Sequence, residues 1–264
     1  MKDNKNSFVC IGAVHTDYIL QLKSKHYKNR TNPITLSQSL GGVAYNIAEK
    51  LSFLNMKTEL ISLNCEKENI RTIKKNKIKF KPLNKKIFYR SYTTVLNSKG
   101  EMILGMANMD NYEKSNNFDK FLNFRNKIII FDLNFSYNNI KSLILKYSRF
   151  NTICVCGTSG HKIYKIKNLL KSIDILLLNK QESSNLTNKK DIVKALKFLI
   201  KKNKNLTIVI TNGKNTVNAY NNGIIYNCKP PKTKVKNENK AGDVMSAFFY
   251  YFFFQFLDFS KILS

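Results

Sequence analysis

From about residue 127 the chain alternates short, unbroken apolar runs with amphipathic stretches, and few folds accommodate that alternation. The runs are Ile128-Ile129-Ile130-Phe131, Thr152 to Cys156, Ile173 to Leu178 and Leu206 to Ile210. A strand that is apolar at every position has no face to give to water, so it belongs to a sheet covered on both sides. Between the runs lie helical stretches near 138–147 and from His161 to Lys171. A further helix carries Ile192, Val193, Leu196, Leu199 and Ile200, spaced three and four apart. Thr187 or Asn188 is its expected cap, with Asp191 in the first turn. Strand and helix in repetition mean βαβ units and a parallel sheet, hence an α/β protein.

The first half reads differently. Phe8 to Ile11 is a strand, and Val43 to Leu54 is a helix with Ala44, Ile47, Ala48, Leu51 and Leu54 on one side. Around that helix lie extended, half-polar segments: Asp17 to Leu22, Ile34 to Ser39, and Tyr89 to Leu96 joined to Glu101 to Met106 across Asn97-Ser98-Lys99-Gly100. The last pair reads as a hairpin. The expectation is a large layered α/β structure carrying a small β-sheet as a lid, with lid strands within about 14–40 and 88–108. No linker or internal repeat divides the chain, so residues 1–264 are expected to form one domain.

A net charge of +28 invites a nucleic-acid reading. Arg, however, stands at only five positions, and Lys is spread along the whole chain. Specific readers lean on Arg forks and interleaved aromatics. The charge therefore reads as a solvated Lys surface that attracts anionic substrates, with no specific nucleic-acid partner. The 43% hydrophobic content excludes a disordered chain. No apolar run reaches the roughly 18 residues of a bilayer span. The nearest, Val244 to Leu257, reads as a buried helix, so no membrane partner is expected. Met1 to Ser7 lacks the apolar centre of a secretory signal. Five cysteines without a CxxC pair read as reduced, mostly buried thiols in a cytoplasmic compartment.

In an open parallel sheet, ligands sit beyond the carboxyl ends of the strands. The polar residues there are Asp132 and Asn134, Asn179 with Glu182, Thr211-Asn212-Gly213, and Lys240-Ala241-Gly242-Asp243. Coming from separate strand ends, they can converge on one crevice. Ala241-Gly242-Asp243 opens an apolar helix, 244–257, where free N–H groups and the dipole favour an anion. Asp243 beside such a cradle can take a proton from an attacking hydroxyl, or it can simply cap the helix. Gly41-Gly42-Val43-Ala44-Tyr45-Asn46 opens the other marked helix. Its glycines permit close approach of a polyhydroxylated ligand, and Asn46 can donate to and accept from hydroxyls. A glycine turn with a surface Asn would have the same sequence. Asp17 can hold a pair of sugar hydroxyls or stand in an exposed loop. Asn179 and Glu182 can orient a hydrated metal and phosphates, or form a helix-start cluster. The three His show no zinc spacing, and there is no GxxxxGK[ST] loop.

Taken in order, these residues resemble the ribokinase-like (PfkB-type) carbohydrate kinases. The resemblance covers nearly the whole chain: Gly12 and Asp17, Gly41 to Asn46, Asn179-Lys180-Gln181-Glu182, Thr211-Asn212-Gly213 and Ala241-Gly242-Asp243. Within that family the chain looks most like the pseudouridine kinases, on Thr31-Asn32-Pro33, Gly100-Glu101-Met102 and Asn237. The resemblance implies a three-layer α/β/α fold with a mostly parallel sheet and a β-lid. It implies ATP, Mg²⁺ and phosphorylation of a sugar hydroxyl: the 5′-hydroxyl of pseudouridine, or alternatively a hydroxyl of another sugar or nucleoside. Asp243 would accept the hydroxyl proton, and N–H groups of Lys240, Ala241 and Gly242 would form an anion hole. Asp17, Gly41, Gly42 and Asn46 would hold the sugar. Asn179, Thr211 and Gly213 would serve ATP, and Glu182 would serve Mg²⁺ indirectly. A homodimer through the lid is also in keeping with the family. Lys240 stands where the family has Gly, and the sequence ends at Ser264 where relatives continue through further helices. Competing readings are a catalytically weak relative and, on charge alone, an RNA-associated protein.

Overall fold

The computed structural model describes residues 7–115, 122–230 and 238–255. Its first elements are β1 (Ser7–Ile11), β2 (His15–Leu22), β3 (Ile34–Gly41), α1 (Val43–Phe53), β4 (Lys57–Ser62), α2 (Lys67–Lys75) and β5 (Lys79–Pro82). Next come β6 (Ser91–Leu96), β7 (Met102–Asn108), α3 (Asp110–Lys114), β8 (Ile128–Phe131), α4 (Tyr137–Tyr147) and β9 (Thr152–Cys156). The last are β10 (Ile175–Asn179), α5 (Lys180–Thr187), α6 (Ile192–Lys202), β11 (Thr207–Asn212), β12 (Asn215–Asn221), β13 (Ile224–Cys228) and α7 (Glu238–Gln255).

The unbroken apolar runs are the central strands of a nine-stranded sheet, ordered β13-β12-β11-β10-β9-β8-β1-β4-β5. Pairing is parallel from β5 through to β11 and antiparallel at the β12–β13 edge. Successive side chains point to opposite faces, so each run feeds two cores. Val9 and Ile11 join α4, α5 and α6 on one side, through Ile140, Leu143, Leu186, Leu196 and Leu199. Phe8 and Cys10 join α1 and α7 on the other, through Ala44, Ile47, Leu51, Ala247 and Tyr250. These are the three α/β/α layers, and the mostly parallel sheet accords with the expected fold class. Each fully buried side chain of this size contributes about 1.5–3 kcal/mol.

A second sheet has four strands in the order β3-β2-β6-β7. Its alternating polar and apolar residues suit strands with one face toward the cleft and one toward water. Leu36, Met102, Leu104 and Met106 on its edge strands are exposed.

Three local expectations differ from the structure. Residues 161–171 form two short 3₁₀ turns, Ile163–Ile166 and Leu170–Ser172, in place of an α-helix. Asp191 itself caps α6, accepting from the Lys194 N–H at 2.8 Å, whereas Thr187 and Asn188 close α5. The last helix starts at Glu238 rather than 244, and is described as far as Gln255. Asn237 lies outside the described residues. The free cysteines at 10, 65, 154 and 156 are buried. Among the described residues no helix is long and apolar enough to cross a membrane.

Candidate active site

The sheet order turns at β1, with β8 on one side and β4 on the other. Such a switch point opens a crevice at the carboxyl ends. Asp132 fills its base, 1% exposed, just past β8. Its Oδ2 accepts from the Ala13 N–H at 2.7 Å and the Ala44 N–H at 3.3 Å, and its Oδ1 from the Asn134 N–H at 2.9 Å. The carboxylate thus faces the start of α1, where the helix dipole favours negative charge. Asp132 was a candidate for ligand contact; its oxygens are spent on the scaffold.

Gly42 caps α1 at φ 111°, and a Cβ there would stand 2.3 Å from the Ala13 carbonyl oxygen. Both facts demand glycine. One turn later Asn46 is buried, not a surface residue. Its Nδ2 donates to Asp243 Oδ2 at 2.7 Å, and its buried Oδ1 has no partner among the described residues.

Asp243 is partly buried inside α7 and so does not cap it. Burial pushes its carboxyl up to about 7; the Asn46 hydrogen bond and Lys240 pull down, Asp132 and Asp17 push up. Lys240, Ala241 and Gly242 lie inside α7 as described, rather than ahead of it. Space remains around Gly242, where an added Cβ would meet nothing within 4 Å.

Asp17 lies in β2, paired with Ser39 across the ladder rather than in a loop. Gly41 makes room for it: a Cβ there would fall 2.1 Å from an Asp17 oxygen. His15 Nδ1 is 3.0 Å from Asp17 Oδ1, and Lys240 Nζ is 3.6 Å from Oδ2. The opposite wall comes from the loop after β9. Lys162 Nζ donates to Asn134 Oδ1 at 2.7 Å, and desolvation lowers the affinity of that lysine for its proton. Ser159 Oγ is buried with no partner among the described residues.

One cleft of about 390 Å³ is lined by Asp17, Gly42, Asn46, Tyr92, Thr94, Asn134, Lys162, Lys240 and Asp243, whereas Gly41, Asp132, Ala241 and Gly242 are not among its lining residues. The nucleotide-side candidates are set apart: Asn179, Glu182, Thr211 and Gly213 do not line the cleft. They sit at the ends of the neighbouring strands β10 and β11, where Asn179 pairs with Thr211. Asn179 and Glu182 form a reciprocal capping box: Asn179 Oδ1 accepts from the Glu182 N–H, and Glu182 Oε2 from the Asn179 N–H, each at 2.9 Å. Burial raises the Glu182 carboxyl. Gly213 is exposed at φ 57° in the turn after β11.

Polar cleft residues that the sequence reading did not single out include His15, Tyr92, Thr94, Ser159 and Lys162. Their only signal was position, in the strand after β1, on the lid, and just beyond β9.

A model of the pfkB family of carbohydrate kinases matches residues 5–264. The chain belongs to that family. A pseudouridine-metabolizing bifunctional protein of Schizosaccharomyces pombe is 29% identical over 188 residues, covering 66% of this chain and 25% of that protein. The chain thus spans about a quarter of the length of this curated relative. Among solved structures, a carbohydrate kinase from Agrobacterium tumefaciens superposes with a TM-score of 0.78 at 22% identity, over 98% of this chain and 87% of that one. Phosphofructokinase-2 from Escherichia coli gives a TM-score of 0.80 at 16% identity, over 98% and 89%. Ribokinase from Cryptococcus neoformans, solved with ADP, gives 0.73 at 15%, over 98% and 90%. These likenesses are of fold.

Proposed function

We propose that the protein transfers a phosphoryl group from ATP to a hydroxyl of a sugar or nucleoside, with the 5′-hydroxyl of pseudouridine as the favoured acceptor. The observation that carries this is the Asn46–Asp243 hydrogen bond at 2.7 Å in a cleft that also holds Asp17. A carboxyl near 7 is matched to proton transfer at neutral pH. Asp243 accepts the proton as the acceptor oxygen bonds to phosphorus and ADP leaves. Asp17 and Asn46 hold hydroxyls; the free Oδ1 of Asn46 is ready for one. Gly41 and Gly42 let the acceptor approach the backbone. The first-turn N–H of Lys240, with Ala241 and Gly242 beside it, faces the charge on the transferred group. Asn179, Thr211 and Gly213 serve the nucleotide. Catalysis of this kind is positioning and electrostatics.

Mg²⁺ fits as an ion held chiefly by water and phosphate oxygens. Among the described residues no three His, Cys, Asp or Glu side chains gather around a cation site, and Glu182 has one oxygen engaged by its own helix. Glu182 would act on the metal through water, and the metal would supply charge neutralisation at the phosphates. Pseudouridine is favoured by the likeness to the pseudouridine-metabolizing protein of S. pombe and by Thr31-Asn32-Pro33 and Gly100-Glu101-Met102. Exposed Leu36, Met102, Leu104 and Met106 suit a homodimer through the lid edges, which light scattering of the purified chain tests. Free cysteines suit the reducing cytoplasm.

The experiment is ADP formation with ATP and Mg²⁺ against pseudouridine, uridine, ribose and fructose 6-phosphate. Turnover with pseudouridine, lowered about 10²–10⁴-fold by Asp243→Asn, is the expected result. Turnover confined to another acceptor reassigns the substrate. No acceptor-dependent ADP at all overturns the kinase reading.

A further inference from the structure

The Lys240 side chain makes contacts that an anion cradle does not require. It belongs to the first turn of α7, yet its Nζ donates to the Leu40 carbonyl at 3.0 Å and to Ser39 Oγ at 3.3 Å, 200 and 201 residues away. The same ammonium lies 3.6 Å from Asp17 Oδ2. These acceptors are neighbours on the lid: Asp17 pairs with Ser39, and Thr16 with Leu40, in the β2–β3 ladder. An ammonium has three N–H donors and no acceptor. Here two of them meet a carbonyl and a hydroxyl, and the carboxylate of Asp17 stands within ion-pair distance. Asp243 follows three residues later, on the same helix face, and both side chains line the cleft.

We infer that Lys240 is a positioning residue whose ammonium clamps the first turn of α7 to the base of the lid at Ser39, Leu40 and Asp17. The proton-accepting carboxylate and the acceptor-holding strand then keep a fixed spacing across the cleft. The catalytic consequence rests on the kinase reading; the clamp itself is a property of the ligand-free protein. Lys240 therefore has two separable parts, a backbone N–H toward the cradle and a side chain toward the lid.

The test follows amide hydrogen exchange of the full ligand-free chain over residues 34–41 in wild type, Lys240→Met and Lys240→Arg. The same preparations enter the ADP assay. The Met variant should exchange roughly tenfold faster over 34–41, with β1 and β8 unchanged, because local opening reports local stability. Arg keeps the charge and offers a longer, planar set of donors, so it should restore most of the protection. In the assay the Met variant should lose about tenfold to a hundredfold in kcat, with a smaller change in KM, as misplacement of a reacting group predicts. Recovery of kcat by Arg supports positioning. Unchanged exchange over 34–41 in the Met variant overturns the clamp, whatever the activity does. Faster exchange everywhere, β1 and β8 included, counts against it too, as a general loss of fold. If the wild type phosphorylates nothing, the kinase reading fails and the exchange result still decides the clamp.

Discussion

Asn46 donates to Asp243 at 2.7 Å although 197 residues separate them in the chain. The bond joins the first turn of α1 to the last helix, across the cleft mouth. It also sets a protonation balance. Burial works against the charged carboxylate and the amide donor works for it, with burial the larger effect. A carboxyl held near 7 is a base that is half available at neutral pH.

The first prediction is therefore a pH profile. kcat/KM should rise with pH through about 7 and then level, since Asp243 must be ionised to accept a proton. Asn46→Ala removes a donor that favours the charged form, so its acid limb should move to higher pH. Initial rates from pH 5.5 to 9 check both, within the kinase reading. A limb that stays put in the variant would separate Asn46 from the base.

Asp243→Asn should cost activity and return stability. The rate should fall by about 10²–10⁴, the usual contribution of a positioned acid or base. The sign for stability follows from linkage. The folded carboxyl titrates near 7 and the unfolded one near its ordinary 3.8. Its contribution is thus fully present below the unfolded value and is lost as pH rises through about 7. Asn carries no charge and escapes that loss. The melting temperature of the variant relative to wild type should increase from pH 4.5 to pH 8, measured by calorimetry. A constant gap would mean that Asp243 is not desolvated.

The layered sheet was legible because its signal is dense. Every position of Ile128-Ile129-Ile130-Phe131 must be apolar to serve two cores, and the sequence shows that directly. The twin glycines and Asp243 were legible as types, and Gly42, Asn46 and Asp243 line one cleft. The 3₁₀ turns after His161 were misread because Ile163, Ile166 and Leu169 recur every three residues, a period that fits a tighter helix better than one of 3.6. The start of α7 was misplaced because its first turn is polar, and periodicity marks only the apolar face. Lys162 was invisible for another reason. Its place in the cleft depends on Asn134, 28 residues earlier on a different strand end, and no motif records that pairing.

The two glycines at 41 and 42 should fail in different ways. Gly42→Ala forces a side chain into positive φ and against the Ala13 backbone, where nothing can yield. It should lose about 1–3 kcal/mol or more. In Gly41→Ala the nearest atoms to the new methyl are those of the Asp17 carboxylate, the far end of a side chain that can swing aside. Its melting temperature should hardly change, while KM for the acceptor rises about tenfold as a held hydroxyl loses its partner. Thermal melts and acceptor titrations of both variants check the contrast. Equal destabilisation by both would sink it.

Asp132→Asn tests whether the buried carboxylate is scaffold or chemistry. Three backbone N–H groups, from Ala13, Ala44 and Asn134, converge on its two oxygens. An amide supplies one oxygen, and its NH₂ would face donors that need acceptors. The variant should lose about 2–4 kcal/mol, from weakened charged hydrogen bonds and an unpaired buried N–H. In urea the midpoint should fall with the slope unchanged, since the fold buries the same surface. The acid limb of any surviving activity should shift to lower pH, because the charge of Asp132 is one of the influences that raise Asp243. A scaffold role predicts both changes together. Loss of all turnover with an unchanged urea midpoint would instead make Asp132 a participant in the reaction.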